Sequence, residues 1–206
     1  LPEKHKISWK VPELPPSLKE ALAAFLLARA VRCCRGNGTN HSSMLINVSR
    51  FNDVQTQVTG LVKSELVRYL EACQGHAALP EAQALREPAL AELRQVWDDQ
   101  FAGSVTENWP DVQQRLREAV GPVEVRKING KSPDTLDYKR NEEAGLHVIA
   151  IGGFVLSRGF TLEGLTVSYF LRSSMMYDTL LQMGRWFGYR DGYADVCRVY
   201  MTDDAL

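Results

Sequence analysis

The sequence predicts an α/β fold: a parallel sheet of about five strands flanked by helices, with a helical insertion. Three observations point there. Five short runs rich in strand formers are spread along the 206 residues: "SSMLINVS" (42–49), "VEVRKI" (123–128), "LHVIAIGG" (146–153), "LTVSYFL" (165–171) and "DVCRVYM" (195–201). Helical segments separate strands, as crossover connections between parallel strands require. Runs such as "VIAIGG" are apolar at nearly every position, which suits strands buried on both faces.

Taken in order, "PPSLKEALAAFLLARAVR" predicts the first helix. Ser17 and Glu20 form a capping box after two prolines, and Leu18, Leu22, Phe25 and Leu26 form an apolar stripe. After the first strand, Asn52 or Asp53 is placed to cap a helix carrying Val54, Val58, Leu61, Leu66 and Tyr69 on related faces. From Cys73 to Pro122 only helical or loop patterns occur. "REPALAELRQVWDDQF" and "PDVQQRLREAV" are the clearest helices, the second opening with Pro110 and Asp111. The first two strands therefore stand about 70 residues apart, far beyond an ordinary crossover. An inserted helical unit over roughly 73–120 explains that length, and the chain reads as one lobe, 1–206, carrying it.

Composition bounds the rest. With 45% hydrophobic and 24% charged residues, the chain has the apolar material for a core without a metal or disulfide staple. Cys33, Cys34, Cys73 and Cys197 match neither a secreted disulfide framework nor zinc spacing, so reduced thiols in the cytoplasm are expected. His5, His41, His76 and His147 are scattered without metal-ligand spacing, so surface or core roles are expected and no metal site is. No apolar run reaches the roughly 18 residues of a membrane span. The opening "LPEKHKISWK" has neither an initiator Met nor a signal core, and "VYMTDDAL" stops just past a strand-like run; both ends read as cut. A net charge of −1 advertises no global field for nucleic acid, so such binding would be local or shared with another part of the protein.

Two stretches carry chemistry. In "IAIGGFVLSRGFTLEGL" (149–165) a buried strand and a glycine pair lead into Arg158-Gly159, at the strand end where α/β sheets bind ligands. In "LLQMGRWFGYRDGY" (180–193), a helix from about Asp178 would turn Leu180, Met183 and Phe187 to the sheet, with Gln182 and Arg185 on another face. Arg190 would stand about 140° round from Arg185 on a continued helix. The two converge only if the helix stops first, and Gly188 is placed to stop it. Two converging arginines make an anion site, and phosphate is the usual anion.

Arg-Gly after a buried strand, followed about 20 residues later by Gln-x-x-Gly-Arg-like text, here Gln182-Met183-Gly184-Arg185, resembles motifs V and VI of superfamily 2 helicases. In finer detail "MLINVSR", "IAIGGFVLSRGFTLEGL" and "DTLLQMGRWFGYRDGYADVCRVY" resemble the Z1 domain, a family often labelled endonuclease and found in bacterial restriction and phage-defence gene clusters. The resemblance covers nearly the whole chain, weakly at 73–120 and strongly at 145–201. It implies the second RecA-like lobe of a two-lobe NTPase, whose first lobe holds ATP and Mg2+. It also implies DNA as a partner, and a DNA methylase or nuclease of the same system. Carried over, Arg185 and Arg190 are arginine-finger candidates, Gln182 begins motif VI, and Arg158 and Gly159 belong to motif V. Two departures stand out. The late arginines are five apart, where helicases have three, and Thr161 stands where helicases often have Asp, so which arginine is the finger stays open.

Plainer readings accompany these. "INGKSPD" (128–134) lacks the first glycine of a phosphate loop, that position being Val125, and reads as a turn. "PDTLDYK" (133–139) resembles a nuclease signature, but Asp134 and Asp137 in one polar loop read as solvated or capping; the nuclease alternative predicts metal-dependent DNA cutting lost in Asp134→Ala. Arg158 could pair with Glu163, Trp186 and Phe187 could pack in the core, and Arg185 and Arg190 could dock a partner lobe without catalytic duty.

Overall fold

Five strands form one parallel sheet in the computed structural model, which describes residues 9–49, 51–128, 136–153, 162–170 and 192–201. They are β1 (Ser42–Asn47), β2 (Glu124–Ile128), β3 (His147–Gly152), β4 (Leu165–Phe170) and β5 (Arg198–Tyr200), in the order β2-β3-β1-β4-β5. Each lies within a stretch the sequence marks as strand. The central three are buried along almost their whole length, as their continuous apolar character requires. Their carboxyl ends are flush: Asn47 stands opposite Gly152 on one side and Phe170 on the other, and Ile128 opposite Gly152.

Among the described residues five helices accompany the sheet: α1 (Pro16–Cys34), α2 (Asn52–His76), the single turn α3 (Glu81–Ala84), α4 (Pro88–Gln100) and α5 (Trp109–Val120). Helix α1 is not the one-faced helix that its leucines suggest. Every residue from Ala21 to Cys33 is buried, because β4 and β5 pack on one side while α4 and α5 pack on the other. A helix apolar all round belongs between two layers, and Ala21, Ala23, Ala24, Ala28 and Ala30 supply the small contacts that let both come close. The helices of the stretch read as an insertion thus share one hydrophobic core with α1, α2 and the sheet face of Met44, Ile46, Ile149, Ile151 and Val167. The other sheet face gathers Leu45, Val148 and Ala150 against Leu136, Tyr138, Leu146 and Leu162.

Helix starts differ from their expected form. Helix α1 begins with Pro16, and Pro15 at its N-cap has no side-chain cap bond. Two prolines remove two N–H groups that would otherwise lack partners. The capping box is therefore not formed: Ser17 lies inside the first turn, its hydroxyl on Tyr169 Oη at 2.9 Å, and Glu20 accepts from Gln100. Neither Asn52 nor Asp53 caps α2, whose N-cap is Phe51. There Ser49 Oγ accepts the Phe51 N–H at 3.0 Å while Gln55 Nε2 donates to Ser49 O at 2.8 Å, stitching the turn ahead of the expected cap. At α5 the cap is Asn108, which accepts the Asp111 N–H at 3.0 Å.

Candidate functional site

The topology marks one edge of the sheet. From β1 the chain moves outward to β2 at one border, and from β4 it moves to β5 at the other, so the crevice between reversing connections lies outside the carboxyl ends of β1 and β4. Helix α2 starts beside it, directed away from the Asn47 end of β1. The segments that leave this edge after β2, β3 and β4 are 129–135, 154–161 and 171–191, and they lie outside the described residues. With them lie all five site residues expected from sequence: Arg158, Gly159, Gln182, Arg185 and Arg190. Asp134, Trp186 and Phe187 also lie there.

The described fold resumes at Leu162 and Gly192, both at the opposite, amino edge, where the anchoring is dense. Ser43 N–H donates to Gly164 O at 2.9 Å and Ser43 Oγ to Glu163 O at 2.7 Å. Gly164 has φ +64°, and a Cβ there would come within 1.8 Å of His41 O, so only glycine fits. His41 Nδ1 accepts the Leu146 N–H at 2.9 Å, and its Nε2 faces the Glu163 carboxylate at 3.8 Å.

Three arginines at i, i+3 and i+6, two within α1 and the third at its C-cap, build the rest of this edge. A Schellman ending fixes where they stand: Gly36 at φ +75° lets its own N–H reach Cys33 O and the Asn37 N–H reach Arg32 O at 2.8 Å. Arg29, 2% exposed, donates from Nε to Ala119 O in the last turn of α5 at 2.8 Å and from Nη1 to His147 Nδ1. Arg32, 3% exposed, donates to His41 O at 2.8 Å and Ser42 Oγ at 2.6 Å, while its guanidinium lies over the Tyr193 ring, 4.7 Å from the centroid. Neither makes an ion pair with a carboxylate among the described residues, and Arg32 Nε is buried without a partner. Burial pulls both guanidinium pKa values down, that of Arg29 to about 10. Converging carbonyls at the C-terminal ends of α1 and α5 offset part of that charge, the negative end of a helix dipole favouring cations. His147 stays neutral, its pKa pushed down to about 4 chiefly by burial and then by Arg29.

Arg35 differs in having acidic partners. Nε and Nη2 donate to the two Glu107 oxygens, both at 2.8 Å. Nη1 and Nη2 donate to the two Asp195 oxygens at 2.9 and 2.7 Å, and Nη1 also to Gly192 O at 3.0 Å. These hydrogen bonds raise the Arg35 pKa and, through Arg35, lower those of Glu107 and Asp195.

Sequence reasoning missed this edge. Its signal was "ARAVRCCR", charged residues every third position of an otherwise apolar helix. The plainer readings fare as follows. Asp137 accepts the Arg140 N–H at 3.0 Å and so caps a short 3-10 turn. Val125 is a strand residue opposite Ile149, so no glycine loop precedes 128–134 there. Burial raises the thiol pKa of Cys33, of Cys34 to about 11 and of Cys73 to about 12, which keeps them protonated. Among the described residues no group of three His, Cys, Asp or Glu could hold a metal ion, and no helix is long and apolar enough to cross a membrane. A groove of about 600 Å³ between α1, α2 and α4 is bridged by Arg68, which pairs with both Glu65 and Glu92.

A family model, the Z1 domain, matches residues 17–206. No curated protein and no solved structure matches the chain.

Proposed function

The chain belongs to the Z1 domain family, and from that membership we propose that it is the second RecA-like lobe of a helicase-like NTPase. In this reading the intact protein couples ATP hydrolysis to DNA handling in a bacterial restriction or phage-defence system. The first lobe holds ATP and Mg2+. Arg185 and Arg190 face the γ-phosphate from this lobe and stabilise the charge spread over the transferring phosphoryl group. Arg158, Gly159 and Gln182 line the same interlobe site, with DNA, and a methylase or nuclease of the same system, as partners.

The observation that carries the reading is the placement of the two motif stretches around the all-parallel sheet. Both leave its carboxyl edge, after β3 and after β4, and both rejoin the fold at the densely bonded amino edge. Such a sheet, flanked by helices, is consistent with a RecA-like fold. That Val125 occupies a strand where a phosphate loop needs glycine supports a nucleotide cradle in the other lobe. The chain 1–206 alone is accordingly expected to show no NTP turnover.

The test is DNA-stimulated ATP hydrolysis by the intact protein, comparing wild type with Arg185→Ala and Arg190→Ala. Loss of a finger lowers turnover by about 10³–10⁵ with ATP binding kept. Normal turnover in both variants refutes the reading and leaves "QMGRWFGYR" as a docking surface.

A further inference from the structure

The groove between α1, α2 and α4 has a volume of about 600 Å³, and the proposed function makes no use of it. Ala23 of α1, Tyr69 of α2 and Val96 of α4 give it apolar walls. Around them stand four carboxylates, Glu20, Glu65, Glu92 and Asp99, against two cations, Lys19 and Arg68. The neighbouring helices carry the same sign, for Asn52 to Gln100 hold eight Asp and Glu and four Lys and Arg. Such a field repels a phosphate backbone and draws in a cationic partner.

The groove displays the kind of cation it suits. The Arg68 guanidinium lies 4.6 Å from the centroid of the Tyr69 ring, pairs with Glu65 at 2.6 Å and also pairs with Glu92 of α4. Tyr69 Oη donates to the same Glu92 carboxylate at 3.2 Å. A planar cation on a ring face, with carboxylates at its edges, is an arrangement that guanidinium groups favour. The other two carboxylates have no such partner. Glu20 accepts from the Gln100 amide and Asp99 from the Gln95 amide at 3.0 Å, and neither makes an ion pair among the described residues. Lys19 pairs with neither of them.

We infer that this groove docks an arginine-bearing segment of a partner protein: an arginine laid along Ala23 and Val96 carries its guanidinium to Glu20 and Asp99, beside the one that Arg68 holds over Tyr69. The match is chemical. An arginine has an apolar stem and a charged head, and the groove has apolar walls under an acidic rim. Its volume falls within the roughly 300–1,000 Å³ of ligand pockets, which takes inserted side chains and not a duplex. The inference stands apart from the arginine-finger reading and survives its failure.

The experiment follows the fluorescence anisotropy of labelled hexa-arginine and hexalysine peptides titrated with the intact protein. It is run at 0.15 M salt, where charges beyond about 8 Å are largely screened. Wild type is compared with Glu20→Gln/Asp99→Asn and with the control Glu142→Gln/Glu143→Gln, which removes the same charge from exposed positions before β3. Hexa-arginine should bind wild type more tightly than hexalysine does. The groove pair should weaken it about two- to thirtyfold, the effect of two exposed ion pairs, and the control should leave it unchanged. Val96→Arg, which supplies the groove with a guanidinium of its own, should weaken it too. All three changes lie on partly or fully exposed side chains, and Tm checks that each variant is folded. Absence of hexa-arginine binding overturns the inference. So does equal binding of hexalysine, or an equal loss in the control, because a diffuse field is then acting and not the groove. If the groove pair alters affinity for a short DNA duplex and leaves hexa-arginine unaffected, the surface belongs to nucleic acid and the inference is likewise refuted.

Discussion

Arg29 gives the sharpest test of how the amino edge is held together. Its guanidinium is 2% exposed and bridges Ala119 O of α5 to His147 Nδ1 of β3. Consider Arg29→Ala and Arg29→Met. Either leaves two buried acceptors without their donor, at about 1–3 kcal/mol each. Either also removes a cation whose pKa has fallen from 12.5 to about 10, a penalty worth about 3 kcal/mol at 1.4 kcal/mol per unit. Alanine in addition loses two buried methylenes, at about 0.8 kcal/mol apiece. Summed, Arg29→Ala should destabilise by about 0–4 kcal/mol, centred near 2. Methionine restores three apolar heavy atoms to the same space, so it should be more stable than the alanine variant by about 2 kcal/mol, close to wild type. Charge and hydrogen-bond effects cancel in that difference, which makes it the firmer number. Urea unfolding at pH 7.5, followed by fluorescence of the buried Trp97 and Trp109 with linear extrapolation, measures it. If methionine is as destabilising as alanine, apolar atoms gain nothing in that space, and the packing contribution assigned to residue 29 is wrong.

Two further outcomes follow from the same edge. His147 has a folded pKa of about 4 against 6.5 for an unperturbed histidine, so the unfolded chain takes up its proton first. The stabilisation is complete above pH 6.5, is lost as pH falls toward 4, and amounts to about 3 kcal/mol at most. His147→Asn, which keeps an acceptor for Arg29 but cannot charge, should flatten that window in urea midpoints measured from pH 7.5 to 4.5; parallel curves for the two proteins would discard this account. Gly164→Ala and Gly36→Ala both demand a left-handed residue, but Gly36 has open space whereas Gly164 has His41 O at 1.8 Å from the added Cβ. Gly36→Ala should cost about 1–2 kcal/mol and Gly164→Ala several times more, read as Tm and soluble yield, and equal losses at the two sites would contradict the close approach.

The strands were legible because burial on both faces leaves a plain trace, such as "VIAIGG", that needs no knowledge of partners. The helix starts were less so. A capping box at Ser17 and Glu20 is a local pattern, and it lost to another local fact, the two prolines, which shift the helix start to Pro16. The burial of α1 on all sides was unread for a different reason. Its stripe of Leu18, Leu22, Phe25 and Leu26 is real, but the opposite face carries alanines, and alanine is neutral on whether a face meets water or a helix. Only the presence of α4 and α5, supplied by residues some seventy or more further on, decides it. The candidate site was read as motif text in 149–165 and 180–193, and those arginines fall outside the described residues.

The arginines of α1 show why the amino edge could not be read locally, and what would have flagged it. The three share one spacing, yet they meet different surroundings: Arg29 a carbonyl and an imidazole, Arg32 a carbonyl, a hydroxyl and a ring, and Arg35 two carboxylates. The order follows the helix as it leaves the core. Residues 29 and 32 are closed in by α5 and the sheet, while residue 35 emerges where side chains 72 and 160 residues away can supply charge. Inside α1 the only acid is Glu20, too far along the helix to pair with any of them. A cation with no acid three or four residues away, set among apolar neighbours, must therefore find its partners at long range or remain costly. Three such cations in register predict that distant chain converges there, and the carbonyls, histidine and carboxylates that do converge are what tie the helical layer to the strand that follows the arginine motif.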